Sequence, residues 1–192
     1  MTRTRTLYLF GTAAPPVLDI ADVIREAHAR GWNVRLGLTP TAARWLAAGL
    51  PELAELTGAP VRSEYKLPGE PDVWPPADAI LLAPATLNTI NQWALGLTEK
   101  FVVGVVAEGI GKRIPLVTMP CVNAAYVQHP QFERSIETLR GVGVTVLYGP
   151  GGFEPNQPGE KKPYPWAAAL TAVGIAAGPE QRALDRRTRN AE

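Results

Sequence analysis

A chain of 192 residues and 20.6 kDa has room for one sizeable core, at the roughly 100–200 residues typical of a domain. Lys and Arg number 19 against 18 Asp and Glu, and the net charge of +1 excludes an electrostatic nucleic-acid binder or a polybasic membrane surface. Single Cys121 and the pair His28 and His129 exclude an internal disulfide and a metal cluster of Cys/His type. The unusual component is 18 glycines and 19 prolines. They punctuate apolar runs rather than forming a low-complexity tract, which is the pattern of functional loops.

The first apolar run, Leu7–Phe10, reads as a short buried strand that stops at Gly11-Thr12. Four residues are too few for a secretory core, and no run approaches the roughly 20 apolar residues of a membrane span, so the expected location is the cytoplasm. Val17, Ile20, Val23, Ile24 and Ala27 recur at helical spacing up to Gly31. Val34–Leu38 reads as a second strand, and Thr39-Pro40 as the cap and first-turn proline of a helix reaching Ala48. A weaker strand is expected at Pro60–Ser63. Four prolines between Lys66 and Pro76 predict an irregular loop.

Ala79–Ala83 predicts a buried strand, followed by helices over Thr86–Leu97 and Glu99–Gly111. Ile114–Met119 and Val144–Tyr148 complete about six strands, with a helix over Gln131–Gly141 between them. A Gly/Pro-rich loop over Gly149–Pro165 leads to a last helix, Trp166–Ile175, and a charged tail over Ala177–Glu192. The body, 1–176, is expected to be a single domain. Strands alternating with helices predict an α/β Rossmann-like (flavodoxin-like) three-layer sandwich around a mostly parallel sheet.

In such a sheet the ligand sits at the carboxyl ends of the strands, near the switch point of strand order. That rule selects the segments beginning at Gly11, Thr39, Pro84, Pro120 and Gly149. Gly11-Thr12-Ala13-Ala14 leaves a strand for a helix, and a helix start offers free N–H groups to a phosphate. Thr12 and Thr39 are each either N-caps or donors to one anion. No Gly-x-Gly-x-x-Gly follows the first strand, and Gly109-Ile110-Gly111-Lys112 lacks the spacing of a P-loop. A mononucleotide with one phosphate fits better than ATP or a dinucleotide. Gly149–Phe153 reads as a covering loop.

Two segments carry the chemistry. Pro84-Ala85-Thr86-Leu87-Asn88-Thr89 ends a buried strand and opens a helix with three polar side chains in four positions, Thr86, Asn88 and Thr89. A cap needs only one of them. Pro120-Cys121-Val122-Asn123 follows the next strand, and Asn123 either orients a carboxylate or caps the short helix after it.

Together these segments resemble the homo-oligomeric flavin-containing cysteine decarboxylases, a family that includes phosphopantothenoylcysteine decarboxylase and the peptidyl-cysteine decarboxylases of lantibiotic biosynthesis. The resemblance runs from about Leu7 to Phe153, and Ala83-Pro84-Ala85-Thr86-Leu87-Asn88-Thr89-Ile90 is similar to the family's Pro-Ala-Ser-Ala-Asn-Thr signature. It implies that Gly11, Thr12, Ala13 and Thr39 hold the phosphate of FMN, with Pro84, Ala85, Thr86, Asn88 and Thr89 along the ribityl chain and ring. Pro120, Asn123 and Tyr126 are similar to the substrate motif Pro-x-Met-Asn-x-x-Met-Trp, whose asparagine contacts the carboxylate to be lost. Tyr126 and Val127 replace its Met-Trp pair, which implies a reshaped pocket. His129 reads as a surface or helix-start residue.

The family's catalytic histidine stands seven residues before the Ala-Asp pair, where this chain has Glu70 before Ala77-Asp78. A glutamate titrates well below the imidazole range. Glu70 or Asp72 serves as base only if burial raises its pKa. The resemblance implies a small-molecule or peptide substrate ending in cysteine, oxidative decarboxylation through a thioaldehyde that acts as electron sink, and assembly as a trimer or dodecamer. The alternatives are a flavoprotein of the same fold with another reaction, such as a flavin-modifying transferase, a reductase or a non-catalytic binding subunit, and a Rossmann-like nucleotide-binding regulator.

Overall fold

The computed structural model describes residues 4–157, 160 and 162–178. Its sheet contains β1 (Arg5–Gly11), β2 (Trp32–Leu38), β3 (Ala79–Ala85), β4 (Leu116–Pro120) and β5 (Thr145–Val146), all parallel, in the order β2-β1-β3-β4-β5. β3 is buried at all seven positions, as a central parallel strand covered on both faces must be.

Five strands stand where about six are expected, because Pro60–Ser63 contributes no strand among the described residues. Proline has no N–H to donate, and only Arg62 pairs, its N–H donating to Leu36 O at 3.1 Å and its carbonyl accepting from Leu38 N at 2.8 Å. The last strand shrinks to two residues for a similar reason, since Tyr148 turns away to bridge Phe153.

The helices are α1 (Ile20–Ala29), α2 (Pro40–Trp45), α3 (Leu50–Thr57), α4 (Leu87–Ala94), α5 (Phe101–Gly111), α6 (Pro130–Gly141) and α7 (Trp166–Ala176). α1 buries Ile20, Val23, Ile24 and Ala27, the set its periodicity predicts. The helix expected through Ala48 stops at Trp45 and gives way, through a 3₁₀ turn, to α3. Leu50 and Leu53 at helical spacing and Gly58 at φ 62° as its left-handed stop are the local signals of α3.

α1 and α7 pack on one face, tied by Arg30 Nη1 donating to Thr171 Oγ1 at 3.0 Å. α4, α5 and α6 pack on the other. There Phe10 lies among Tyr8, Trp74 and Phe101, with ring centroids 5.9–6.5 Å away. The 64–76 loop is fastened to this face. Tyr65 OH donates to Thr98 O at 2.7 Å, Tyr8 OH to Pro75 O at 2.8 Å, and Trp74 Nε1 to Pro60 O at 3.1 Å. α7 closes at Ala176, and Ala177, the first residue of the expected tail, is buried behind it. The remainder of the expected tail, from residue 179, lies outside the described residues.

Candidate functional site

The order in which the chain adds strands to the sheet reverses between β1 and β3, the switch point. A cavity of about 950 Å³ opens there, at the carboxyl ends of the strands. Its wall brings together the β1–α1 turn (Ala13), the start of α2 (Thr39, Thr41), the start of α4 (Thr86, Asn88), the segment after β4 (Cys121, Asn123) and the segment after β5 (Phe153, Asn156).

Of the nine residues expected at the cofactor, Ala13, Thr39, Thr86, Asn88 and Thr89 line this cavity. Gly11, Thr12, Pro84 and Ala85 are buried behind the lining and shape it. Thr12 is a structural tie. Its hydroxyl donates to Pro84 O at 2.7 Å and accepts from Thr86 N at 3.0 Å, so its proton is spent on the backbone and not on an anion. This clamps the end of β1 to the β3–α4 turn, just where the β3–β4 register breaks because Pro84 has no N–H to give.

Thr39 keeps its freedom. It precedes α2 without capping it, and its hydroxyl makes no hydrogen bond among the described residues. The Ala13 N–H is likewise unengaged among them. Thr86 does cap α4, its Oγ1 accepting from Thr89 N at 3.4 Å and pairing with Thr89 Oγ1 at 3.0 Å. Asn88 is exposed to the cavity and holds only Gln92 Oε1, at 3.4 Å.

Asn123 lines the cavity. Its Oδ1 accepts from Tyr126 N at 2.9 Å, the first residue of the 3₁₀ turn Tyr126–Gln128. Its Nδ2 has no partner among the described residues and remains for a ligand. Tyr126 lines the cavity and Pro120 lies buried behind it. His129 caps α6, its Nδ1 accepting from Gln131 N at 3.1 Å.

Glu70 and Asp72 are not brought to this cavity. The fastened loop holds them on the α5 face, where Glu70 Oε2 accepts from Leu67 N at 2.9 Å and Asp72 Oδ1 pairs with Lys66 Nζ at 2.7 Å. Asp72 borders a separate hollow of about 330 Å³ beside Tyr8 and Trp74. The hydrogen bond and charge of Lys66 hold its carboxyl below the usual range. This is the opposite of the upward shift that a base needs.

Several wall residues were not singled out from the sequence. Lys100, just before α5, is the one cation of the described lining and makes no ion pair among the described residues. Asn91 lies one turn beyond Asn88 on α4. Asn156 bridges Asn123, with Ala124 N donating to Asn156 O at 2.9 Å, and its buried Oδ1 has no partner. The lining carboxylate, Glu160, is held below its usual range by Gln157 N–H and then by Lys162. No group of three or more His, Cys, Asp or Glu suited to a metal occurs among the described residues, and no described helix is long and apolar enough to cross a membrane.

Cys121 borders the cavity near half-buried Tyr164, whose hydroxyl donates to Met119 O at 2.6 Å. Burial pushes the thiol up to about 11. A raised thiol pKa stabilises the fold below the unfolded value near 9, and that contribution is lost as pH rises toward 11. Cys121 is therefore expected to react with iodoacetamide at pH 8 more than tenfold slower than a free cysteine, because the thiolate is the nucleophile. The rate should keep climbing to about pH 11 and become ordinary in urea. Ordinary reactivity of the folded chain at pH 8 refutes the burial.

A sequence profile described as Flavoprotein matches residues 1–173. The coenzyme A biosynthesis bifunctional protein CoaBC of Thermococcus kodakarensis is 34% identical over 101 residues, 53% of this chain and 24% of that protein. A cysteine/cysteine sulfinic acid decarboxylase of an unknown prokaryotic organism is 28% identical over 105 residues, 55% of this chain and 25% of that protein. Both matches thus span about a quarter of the curated relatives' length. The crystal structure of the FMN-dependent cysteine decarboxylase SpaF superposes with a TM-score of 0.70 at 22% identity, covering 92% of this chain and 98% of that one, which shows a shared fold.

Proposed function

The chain belongs to the Flavoprotein family, and from that premise we propose that it binds FMN and decarboxylates a substrate ending in cysteine, a small molecule or a peptide. The observation that carries this reading is the cavity at the β1–β3 switch point, with the unengaged amide of Asn123 on one wall and the unengaged Thr39 hydroxyl on another. Its volume of about 950 Å³ matches the upper range of small-ligand sites.

The residues present fit a flavin mononucleotide. The Ala13 N–H, Thr39 and Lys100 would hold a phosphate, since each is free of protein partners among the described residues and Lys100 brings the charge. Asn88 would meet the ribityl chain or ring. The orphaned Oδ1 of Asn156 is a buried acceptor without a donor and would be available to an N–H of the flavin.

A bound flavin supplies a two-electron acceptor for the thiol-bearing carbon of the substrate. The chain's own part is to bind and orient. Asn123 Nδ2 is placed to donate to the substrate carboxylate while Oδ1 is locked by Tyr126 N. A neutral amide orients the carboxylate with less ground-state stabilisation than a cation gives, so less is forfeited when CO2 leaves. Val122, Tyr126 and Phe153 form the apolar part of the wall and limit water around that carboxylate.

The test has two stages. Purified protein should carry or take up FMN, with bands near roughly 370 and 450 nm. Incubated with a peptide ending in cysteine, it should form a product lighter by about 46 mass units, CO2 plus two hydrogens. FMN binding without this product from several such peptides favours a second reading, a flavoprotein of the same fold with a different reaction. The position of Glu70 and Asp72 away from the cavity is the observation on its side. Under the first reading these residues act only from a neighbouring copy of the chain, in keeping with a proposed trimer or dodecamer.

A further inference from the structure

Besides Asn123, the wall of the cavity contains a second amide that is held from behind. Ser135, on α6, is completely buried. Its hydroxyl accepts from Gln131 Nε2 at 3.0 Å and donates to Asn91 Oδ1 at 2.9 Å. The side chain of a buried serine has one proton to give, and here it goes to Asn91. The oxygen end of the Asn91 amide, Oδ1, is the end turned toward Ser135. The other end, Nδ2, has two N–H groups and no acceptor among the described residues. It is not among the buried orphaned atoms, and Asn91 lines the cavity. A half-buried amide gripped at its oxygen, with its donor end left open in a ligand-sized cavity, is a preorganised hydrogen-bond donor.

We infer that Asn91 is a further flavin-binding residue, its Nδ2 donating to an acceptor atom of the bound flavin, and that Ser135 acts through it as a positioning residue. The inference rests on the flavin reading above. The flavin ring offers carbonyl oxygens and ring nitrogens as acceptors, and the neighbouring Asn88 gives one of its two amide N–H groups to Gln92. The Gln131–Ser135–Asn91 chain joins α6 to α4, so the donor is fixed by two helices and not by a loop.

Asn91→Asp separates this role from packing. The aspartate keeps the oxygen that accepts from Ser135 and changes only the open end, from donor to acceptor. The probe is FMN, titrated at pH 8 and followed by its fluorescence. The wild-type chain is expected to bind FMN. Asn91→Asp should bind it at least about tenfold more weakly, and Asn91→Ala about fivefold, the usual worth of a lost hydrogen bond. The deficit of Asn91→Asp should narrow as pH falls toward 5, because a carboxyl held against an acceptor takes up a proton and donates again. Because the FMN phosphate itself titrates near about pH 6, the trend is read in the ratio of variant to wild-type affinity. Ser135→Ala should weaken binding in the wild-type background and have no further effect in Asn91→Ala.

Wild-type affinity in both Asn91 variants overturns the inference while the flavin reading stands. An equal loss from Ser135→Ala in both backgrounds overturns the positioning role. A wild-type chain that does not bind FMN overturns the flavin reading, and the inference falls with it. Thermal unfolding of the flavin-free proteins identifies any variant that fails to fold, and Asn91→Ala then decides in place of Asn91→Asp.

Discussion

Gly37→Ala is expected to destabilise the chain by about 3 kcal/mol and to lower Tm by roughly 6–12 °C. Gly37 is paired in register with Phe10 across β1 and β2. A Cβ built on it would stand 2.5 Å from both Cδ1 and Cε1 of the Phe10 ring. The ring has no room to yield. It is fully buried and packed against Trp74 and Phe101, which also carry the Arg62 guanidinium at 5.4 and 4.3 Å. One methyl group therefore pushes on an aromatic stack shared by β1, α5 and the 64–76 loop. Gly49→Ala is the matched control, since a Cβ there meets nothing within 4 Å. Equal melting of Gly37→Ala and Gly49→Ala would falsify the packing of Phe10 over the strand.

Thr12→Val is expected to cost about 2 kcal/mol, the usual penalty of leaving a poorly solvated backbone group without its partner. Valine keeps the shape of threonine and removes the hydroxyl. Pro84 O retains the Thr12 N–H at 3.2 Å, whereas Thr86 N loses its acceptor. Thr12→Ser keeps both bonds and should stay within about 1 kcal/mol of wild type, the cost of one methyl group. Ligand binding sharpens the distinction. If Thr12 touched the phosphate, valine would weaken FMN far more than riboflavin. As the hidden tie of the turn bearing Thr86 and Asn88, it should weaken both by the same factor. Isothermal titration with the two flavins decides between these outcomes.

The parts of the fold legible in the sequence are those governed by short-range pattern. β3 shows as an unbroken apolar run, and α1 as Val23, Ile24 and Ala27 on one face. Pro84 and Pro120 mark strand ends because proline cannot donate to a ladder. The strand assigned to Pro60–Ser63 fails because apolar or β-branched residues do not by themselves make a partner; only Arg62 finds backbone on β2. α3 escapes because its apolar positions are few and partly exposed, leaving Gly58 as its clearest mark.

The same division runs through the site. Segment choice was legible, since the strand-end rule selects the turns that border the cavity. The direction of individual side chains was not. Thr12 and Thr39 follow adjacent strands and look alike in sequence, yet one hydroxyl is consumed by Pro84 and the other is free. Asn91 sits inside a segment already marked as informative, but its orientation depends on Ser135, 44 positions away. Asp72 has the right chemistry for a base and the wrong location, because Tyr65, Trp74 and Tyr8 pin its loop to another face. Long-range hydrogen bonds decide each of these cases, and spacing carries no trace of them.

The bridge between Asn123 and Asn156 makes the roof and the floor of the cavity one mechanical unit. The residue proposed to grip the substrate is stitched by its neighbour's amide, Ala124 N, to the segment that covers it. Lifting the cover breaks that stitch and loosens the grip in the same event. Under the proposed function, admission of substrate and its alignment would then be coupled, and hydrogen exchange at the Ala124 amide would report how often the stitch opens.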